Sequence, residues 1–543
     1  MTIMKRISVV CAALISLAAT ATSAHADPSG YSAQPRASWS PNGAVYALAE
    51  SGGRVYLGGN FTAITNRATG ETVEVTRLAA IDAVTGDLIR TWTPAANNIV
   101  YSLVASADGT RIFAGGTFTS VSGVGKSRLA ALNATTGALI PTWGPYPNAQ
   151  VRGMTRIGDT LYLGGLFTSV STVARTRLAA VSATTGTLLP WAPAADASVS
   201  TLEGVPDGSE VVIGGTFHQL GGVGRDFLGA VDAVTGTPTS WNPTEACGDC
   251  QILDVAVDDT RVYAGVGGTG GHATAWNRNS NAVLWSQQGD GDVESIAVSD
   301  GMVYAGGHYS PSFAGTTRYA LTALDDATGA VDPYFAPQIT QTLGTHAILA
   351  GPSYLRIGGT FQTINGTSRA RYAEFPIAGP PQTLLGPGTS WRYDDSGADL
   401  GTAWSGTAYD DSAWPSGAAQ LGFGDGDEAT ALTPGRITYY FRTTFTVANP
   451  AALRDAVVQL VRDDGAIVHL NGTEIFRTAM PAGAVTSSTP ASSTSGGADE
   501  SFWHSSWFRP SLLRNGLNTL AVEVHQAAAN SSDVSFNLQL TGR

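Results

Sequence analysis

Val45-Tyr-Ala-Leu-Ala49, Arg54-Val-Tyr-Leu-Gly-Gly59, Asn60-Phe-Thr62 and Arg77-Leu-Ala-Ala-Ile-Asp82 make one unit, closed by the turn Ala83-Val-Thr-Gly86 and ending at Trp92-Thr-Pro94. The short β-branched or small-residue runs, separated by glycine turns, predict four strands per unit. A run such as Leu-Ala-Ala-Ile suits a strand covered on both faces. The paired glycines either supply positive φ or let a neighbouring backbone come close. In Asp82-x-x-Thr-Gly86 the carboxylate is expected to accept local N–H groups, with glycine in the left-handed position. One such sheet cannot bury its own faces, so the unit must stack on copies of itself.

The copies are present. Gly-Gly recurs at 58–59, 115–116, 164–165, 214–215, 306–307 and 358–359, with Gly265-Val266 standing in for the fifth. An aromatic follows at Phe61, Phe118, Phe167, Phe217, Tyr309 and Phe361, and Trp92, Trp143, Trp191 and Trp241 end their units. Seven units fit. The seventh breaks off at Tyr372-Ala-Glu-Phe-Pro376, whereas Trp39-Ser-Pro41 precedes the first. The expectation is that Trp39-Ser-Pro41 completes the last sheet and closes a seven-bladed β-propeller over 27–376, since closure removes exposed edges.

The unit V-x-x-L…G-x-V-Y-x-G-G-x-F-T…R-L-A-A-x-D-x-x-T-G…W-x-P resembles the delta-60 family of bacterial β-propeller repeats, and more distantly fungal cortical polarity-marker propellers. That resemblance implies a propeller in an extracellular, often cell-surface, setting. Ala80-x-Asp82-x-x-Thr-Gly86 followed by Trp92 is also similar to the docking pattern of pyrroloquinoline quinone dehydrogenases, with two extra residues before the tryptophan and seven units where that family has eight.

Residues 1–26 carry Lys5-Arg6, an apolar run from Ile7 and a small-residue site at Ala24-His-Ala26, the pattern of a secretory signal peptide. Its removal leaves 28 basic against 43 acidic residues. Such a surface disfavours nucleic acid and anionic lipid, and no membrane span is expected. Cys247 and Cys250 are then alone, and in an oxidising compartment they are expected to form a small-loop disulfide.

Beyond a Pro/Gly-rich linker at 377–389 the repeat does not return. Strand patterns at 437–445, 456–461, 466–470, 519–524 and 534–540, with Asp463-Asp-Gly465 and Asn471-Gly472 as turns, predict an antiparallel β-sandwich over 390–543. Tyr409-Asp-Asp-Ser-Ala-Trp414, Leu421-Gly-Phe-Gly-Asp-Gly-Asp-Glu428, Asp463-Asp-Gly465 with Leu470-Asn-Gly472, and Leu520-Ala-Val-Glu-Val-His525 together resemble galactose-binding-like jelly-roll accessory domains, which implies an attachment or spacer module with carbohydrate as the customary ligand class of the wider fold.

Candidate sites follow from side-chain chemistry. Asp425, Asp427 and Glu428 can gather oxygen ligands for Ca²⁺, with Asp463 or Asp464 as further ligands, against the competing reading of a solvated turn. Trp503, His504 and Trp507, with Arg509, can form an aromatic platform for a sugar ring, or instead cover one end of the core. His218, His272, His308 and His346 fall at different places in their units, a poor pattern for a metal. The Asp82, Asp232 and Asp325 column, replaced by Asn133 and Ser182, reads as turn capping rather than catalysis. The expected function is non-catalytic binding at a cell surface, the propeller as scaffold and the sandwich touching polysaccharide or glycan. The alternative is an enzyme acting in the propeller channel, either a quinoprotein dehydrogenase or a polysaccharide-degrading enzyme.

Overall fold

The computed structural model describes residues 30–243, 250–268, 270–340, 344–496 and 501–543. It is all-β and made of many small antiparallel sheets. In the first, Val45–Ser51, Arg54–Gly59 and Leu78–Asp82 pair in that order. The middle and third strands are buried almost throughout, as their small-residue runs predict. Six further sheets repeat this order, led by strands that begin at Val100, Val151, Val199, Gln251, Val293 and Thr345. The fifth has four full strands; in the first, the fourth is reduced to a bridge between Ile81 and Leu88.

Consecutive leading strands touch, and the strand from Thr345 touches the strand from Val45, so the contacts run in a closed cycle. The first glycine of each pair explains the spacing. A Cβ on Gly58 would lie 2.7 Å from Cγ1 of Val100 in the second sheet, and one on Gly358 would lie 2.5 Å from Cγ1 of Val45 in the first. Neither glycine has a positive φ; close approach is the reason for them. Each unit's tryptophan reaches forward as well. Trp92 Nε1–H donates to the carbonyl of Asn133 (3.2 Å), Trp143 to Ser182 (3.2 Å) and Trp191 to Asp232 (3.1 Å). The repeated turns are capped by side chains: Asp82 Oδ1 accepts the Val84 and Thr85 amides, and Gly86 has φ +76°.

The seventh sheet is completed from the N-terminal side, by a segment upstream of the expected one. Ser32 N–H donates to Pro376 O (2.8 Å) and Arg36 N–H to Glu374 O (2.9 Å), with Tyr31 bridged to Ile377. Trp39–Pro41 instead pairs with Ala63–Asn66 of the first unit, although Arg371 Nη1 still reaches Pro41 O (3.3 Å). The other units show why: Ile89 N–H bonds to Ala80 O before Trp92 is reached, so the outer strand precedes the tryptophan.

A buried ion network locks this junction. Arg356 Nε lies 3.0 Å from Glu374 Oε1 and its Nη1 lies 2.6 Å from Glu50 Oε2, while Nη2 donates to Ala83 O. Arg36 Nε reaches the other Glu374 oxygen at 2.8 Å. In the first sheet the corresponding contact is a neutral one, Tyr56 Oη to Ala134 O (2.8 Å).

Residues 390–543 form most of two six-stranded sheets that share one core, with Phe441 stacked on Phe536 (4.0 Å) and Trp391 edge-on to the same ring (4.9 Å). Two details differ from expectation. Leu421–Phe423 and Thr430–Ala431 run parallel, and Gln382–Leu385, assigned to the linker, pairs as an edge strand with Val534–Gly542. The outer face of that sheet meets the repeat region. Asp455 Oδ1 accepts the Ala33 amide (3.1 Å), Arg543 Nη2 donates to Tyr31 O (2.8 Å), and Tyr334 Oη to Thr541 Oγ1 (2.8 Å).

Candidate functional site

Every leading strand carries a register shift at one position. The pairing skips a residue between Val45 and Ala47, Val100 and Ser102, Val151 and Gly153, Val199 and Thr201, Ile252 and Asp254, Val293 and Ser295, and Thr345 and Ala347. The skipped residues are Tyr46, Tyr101, Arg152, Ser200, Leu253, Glu294 and His346. A bulge re-aims a side chain without ending the strand, and all seven of these line one cavity of about 210 Å³ at the centre of the cycle. Seven nearly equivalent backbones therefore present six different side-chain types to one space.

Their partners are specific. Glu294 Oε1 is 2.8 Å from His308 Nδ1, and Oε2 pairs with His346 Nδ1. Thus two histidines that fall at unrelated places in their units meet on one carboxylate. Among the described residues His346 Nε2 is buried with no hydrogen-bond partner, and its ring lies 5.2 Å from Tyr46, which lies 5.3 Å from Tyr101. The Arg152 guanidinium stands 5.8 Å over the Tyr101 ring.

Two carboxyl groups sit beside these residues. Asp254 accepts Thr201 Oγ1–H and the Val255 and Ile296 amides, each at 3.0 Å. Desolvation outweighs those bonds and pushes its pKa up to about 6. Glu203 is pushed up to about 8 by desolvation, with Asp254 adding to the rise. At neutral pH Glu203 therefore carries a proton and can donate as well as accept. The signal for this site was in the sequence as the residue after the position held by valine in five units, by Ile252 in the fifth and by Thr345 in the seventh, the column that refuses to repeat.

The residues singled out from sequence lie elsewhere. The carboxylates of Asp425, Asp427 and Glu428 come within 4.8 Å of one another, but they already serve their own turn. Glu428 accepts the Asp425 and Gly426 amides (2.9 Å each), Asp427 accepts Gln420 Nε2–H (3.1 Å) and Asp425 accepts Ser535 Oγ–H (2.7 Å). Asp463 and Asp464 are buried and outside that group. Asp463 accepts Gln526 Nε2–H (2.8 Å), and burial raises its pKa to about 7; Asp464 accepts the Ser495 and Ala527 amides (2.7 Å each). On the edge strand His504–Phe508, Trp507 and His504 sit at positions of opposite parity and so face opposite sides. Trp507 Nε1–H donates to Asp455 (3.2 Å) and Arg509 bonds to Asn365 O of the repeat region, while Trp503 is half-buried just before the strand. Cys250 is disulfide-bonded, and Cys247 lies outside the described residues.

A family model described as outer membrane protein assembly factor BamB matches residues 224–408. Residues 224–408 contain a β-propeller-type repeat. No curated protein matches the chain. The crystal structure of the computationally designed Ika8 protein is similar at 15% identity over 62% of this chain and 98% of that one, with a TM-score of 0.39. No helix among the described residues is long and apolar enough to cross a membrane.

Proposed function

We propose that the chain is an exported, cell-surface or extracellular binding protein, in which a seven-bladed, delta-60-type propeller carries a galactose-binding-like jelly-roll module and takes a carbohydrate ligand at its axis. The observation that carries this reading is the set of seven bulged positions, where a repeating backbone presents a non-repeating, mostly polar surface. A purely structural ring would fill that column with small or apolar residues; this one holds two tyrosines, an arginine, a glutamate and a histidine. Sites that fix a small ligand combine aromatic walls with a few placed polar groups. The test is retention of the full chain on an array of polysaccharides and oligosaccharides, compared with a Tyr46→Ala/Tyr101→Ala variant. Retention that the variant loses is expected, and no retention of the native chain on any glycan overturns the reading.

Trp503 and His504, at the start of the edge strand and apart from Trp507 and Arg509, which are bonded at the junction with the repeat region, are proposed as a second, weaker glycan contact, and Asp425, Asp427 and Glu428 as a Ca²⁺ site. Binding that survives Trp503→Ala, or chelation that leaves binding and melting unchanged, removes each in turn.

One observation favours an enzyme acting in the channel. Glu203 and Asp254 are close enough for one charge to raise the other's pKa, and their values of about 8 and about 6 lie near neutrality, where carboxyl groups exchange protons with a substrate most effectively. Release of new reducing ends from any retained polysaccharide, abolished by Glu203→Gln, would establish cleavage of the polymer; retention without release would leave a binding protein.

A further inference from the structure

The charged groups of the channel differ in how much of their bonding capacity the protein already uses. Both oxygens of Glu294 are taken by imidazoles, and Asp254 accepts three donors. Glu203 is held in its neutral form at pH 7 by desolvation. Arg152 is the contrast: it is exposed in the cavity and makes no hydrogen bond or ion pair among the described residues. In a chain of formal charge −13, the charge this pocket leaves free is positive. Beside it the rings of Tyr101, Tyr46 and His346 follow one another from the second sheet through the first to the seventh. His346 Nε2, buried and without a hydrogen-bond partner among the described residues, lies at the far end of that arc.

We propose that the channel binds a carboxylate-bearing sugar, a uronic acid residue, with its carboxylate on Arg152 and its ring against the Tyr46–Tyr101 arc. The inference rests on the binding reading above and gives it a ligand class. A guanidinium is a planar fork that matches a carboxylate bidentately. Aromatic faces pack against the apolar C–H face of a sugar ring, leaving its hydroxyls for polar partners; Ser200, Glu203 and His346 supply such partners on the lining. The cavity, about 210 Å³, has the room of roughly seven waters, the scale of one sugar residue rather than a stretch of polymer. A neutral sugar would leave the guanidinium unmatched. A phosphate would find one cation where recognition of a dianion normally gathers several donors.

The test is calorimetric titration of the full chain with digalacturonic acid, the matching neutral galactose disaccharide and inorganic phosphate. Digalacturonate is expected to bind at least tenfold more tightly than the neutral sugar. Arg152→Ala is expected to remove that preference, Arg152→Lys to keep part of it, and Tyr101→Ala to weaken both sugars. Because Arg152 is exposed and, among the described residues, its only contact beyond packing is with the Tyr101 ring, its loss is expected to leave the fold intact, as an unchanged melting temperature would show. Arg90→Ala, at an exposed pair with Glu71 away from the channel, serves as the control with no change. Equal binding of acidic and neutral sugars, a preference that survives Arg152→Ala, or phosphate binding as tightly as the uronate overturns the uronate assignment and leaves the binding reading standing. Absence of binding by every sugar here and on the array sinks both.

Discussion

Glu374 is fully buried and holds two arginines, one from its own sheet and one from the segment that completes it. Removing one partner from such a group leaves uncompensated buried charge, which costs about 3–5 kcal/mol. Glu374→Ala is therefore expected to lower the denaturant midpoint of the repeat region far more than Glu71→Ala, whose pair with Arg90 is exposed; equal shifts would refute the network's role. Glu203 acts in the opposite sense. Its folded pKa of about 8 lies above its ordinary value of 4.5. Between those values the folded chain holds a proton that the unfolded chain has released, so the group's contribution to stability falls as pH rises through that window. Asp254 adds the same sign between 3.8 and about 6. Glu203→Gln should melt higher than the native chain at pH 8 and level with it at pH 4, and a difference at pH 4 as large as that at pH 8 would show that packing, not titration, is responsible.

At the scale of strands and turns, what the sequence made legible was whatever every unit must do alike. The glycine pairs, the capped Asp-x-x-Thr-Gly86 turn and the tryptophans are packing devices, so they recur and can be counted. The bulged column was illegible for the converse reason. Its backbone is repeated but its side chains are selected singly, so Tyr46, Arg152 and Glu294 look like noise, and the meeting of His308 with His346 cannot be seen without the cycle of sheets. The completing strand was misplaced for a related cause. Trp39 follows Arg36 by three residues as Trp92 follows Ile89, so the motif was read correctly, but the paired outer strand lies before the tryptophan and carries no motif of its own. That strand can be tested directly. Ser32→Pro removes the N–H donated to Pro376 O, and leaving a carbonyl unmet costs about 1–3 kcal/mol. Hydrogen exchange of the Arg36 amide, bonded to Glu374 O, should quicken in this variant while amides of the third sheet keep their rates; uniform acceleration would mean global destabilisation instead.

At the scale of the whole molecule, the segment that completes the seventh sheet is also the floor on which the second unit stands. Tyr31 and Ala33 use their backbones toward Arg543 and Asp455, while Ser32, between them, bonds to the sheet. Asp455 is fully buried, shared between the Ala33 amide, Trp507 Nε1–H and the Arg543 guanidinium 3.6 Å away. Burial raises its pKa even against that arginine, and the side chains of the sandwich core lie on the other face of the sheet. Asp455→Ala should thus separate two properties that a core substitution would damage together. Each sheet system should keep its own unfolding transition, while the radius of gyration in small-angle scattering rises as the units part, and protease cleavage between 377 and 381, ahead of the edge strand Gln382–Leu385, becomes faster. The same variant should retain sugar binding in the channel, which is built wholly from leading strands of the repeats. An unchanged radius of gyration would mean that the neighbouring Tyr334–Thr541 and Arg509–Asn365 bonds suffice to hold the units together, and that Asp455 is no more than one contact among several.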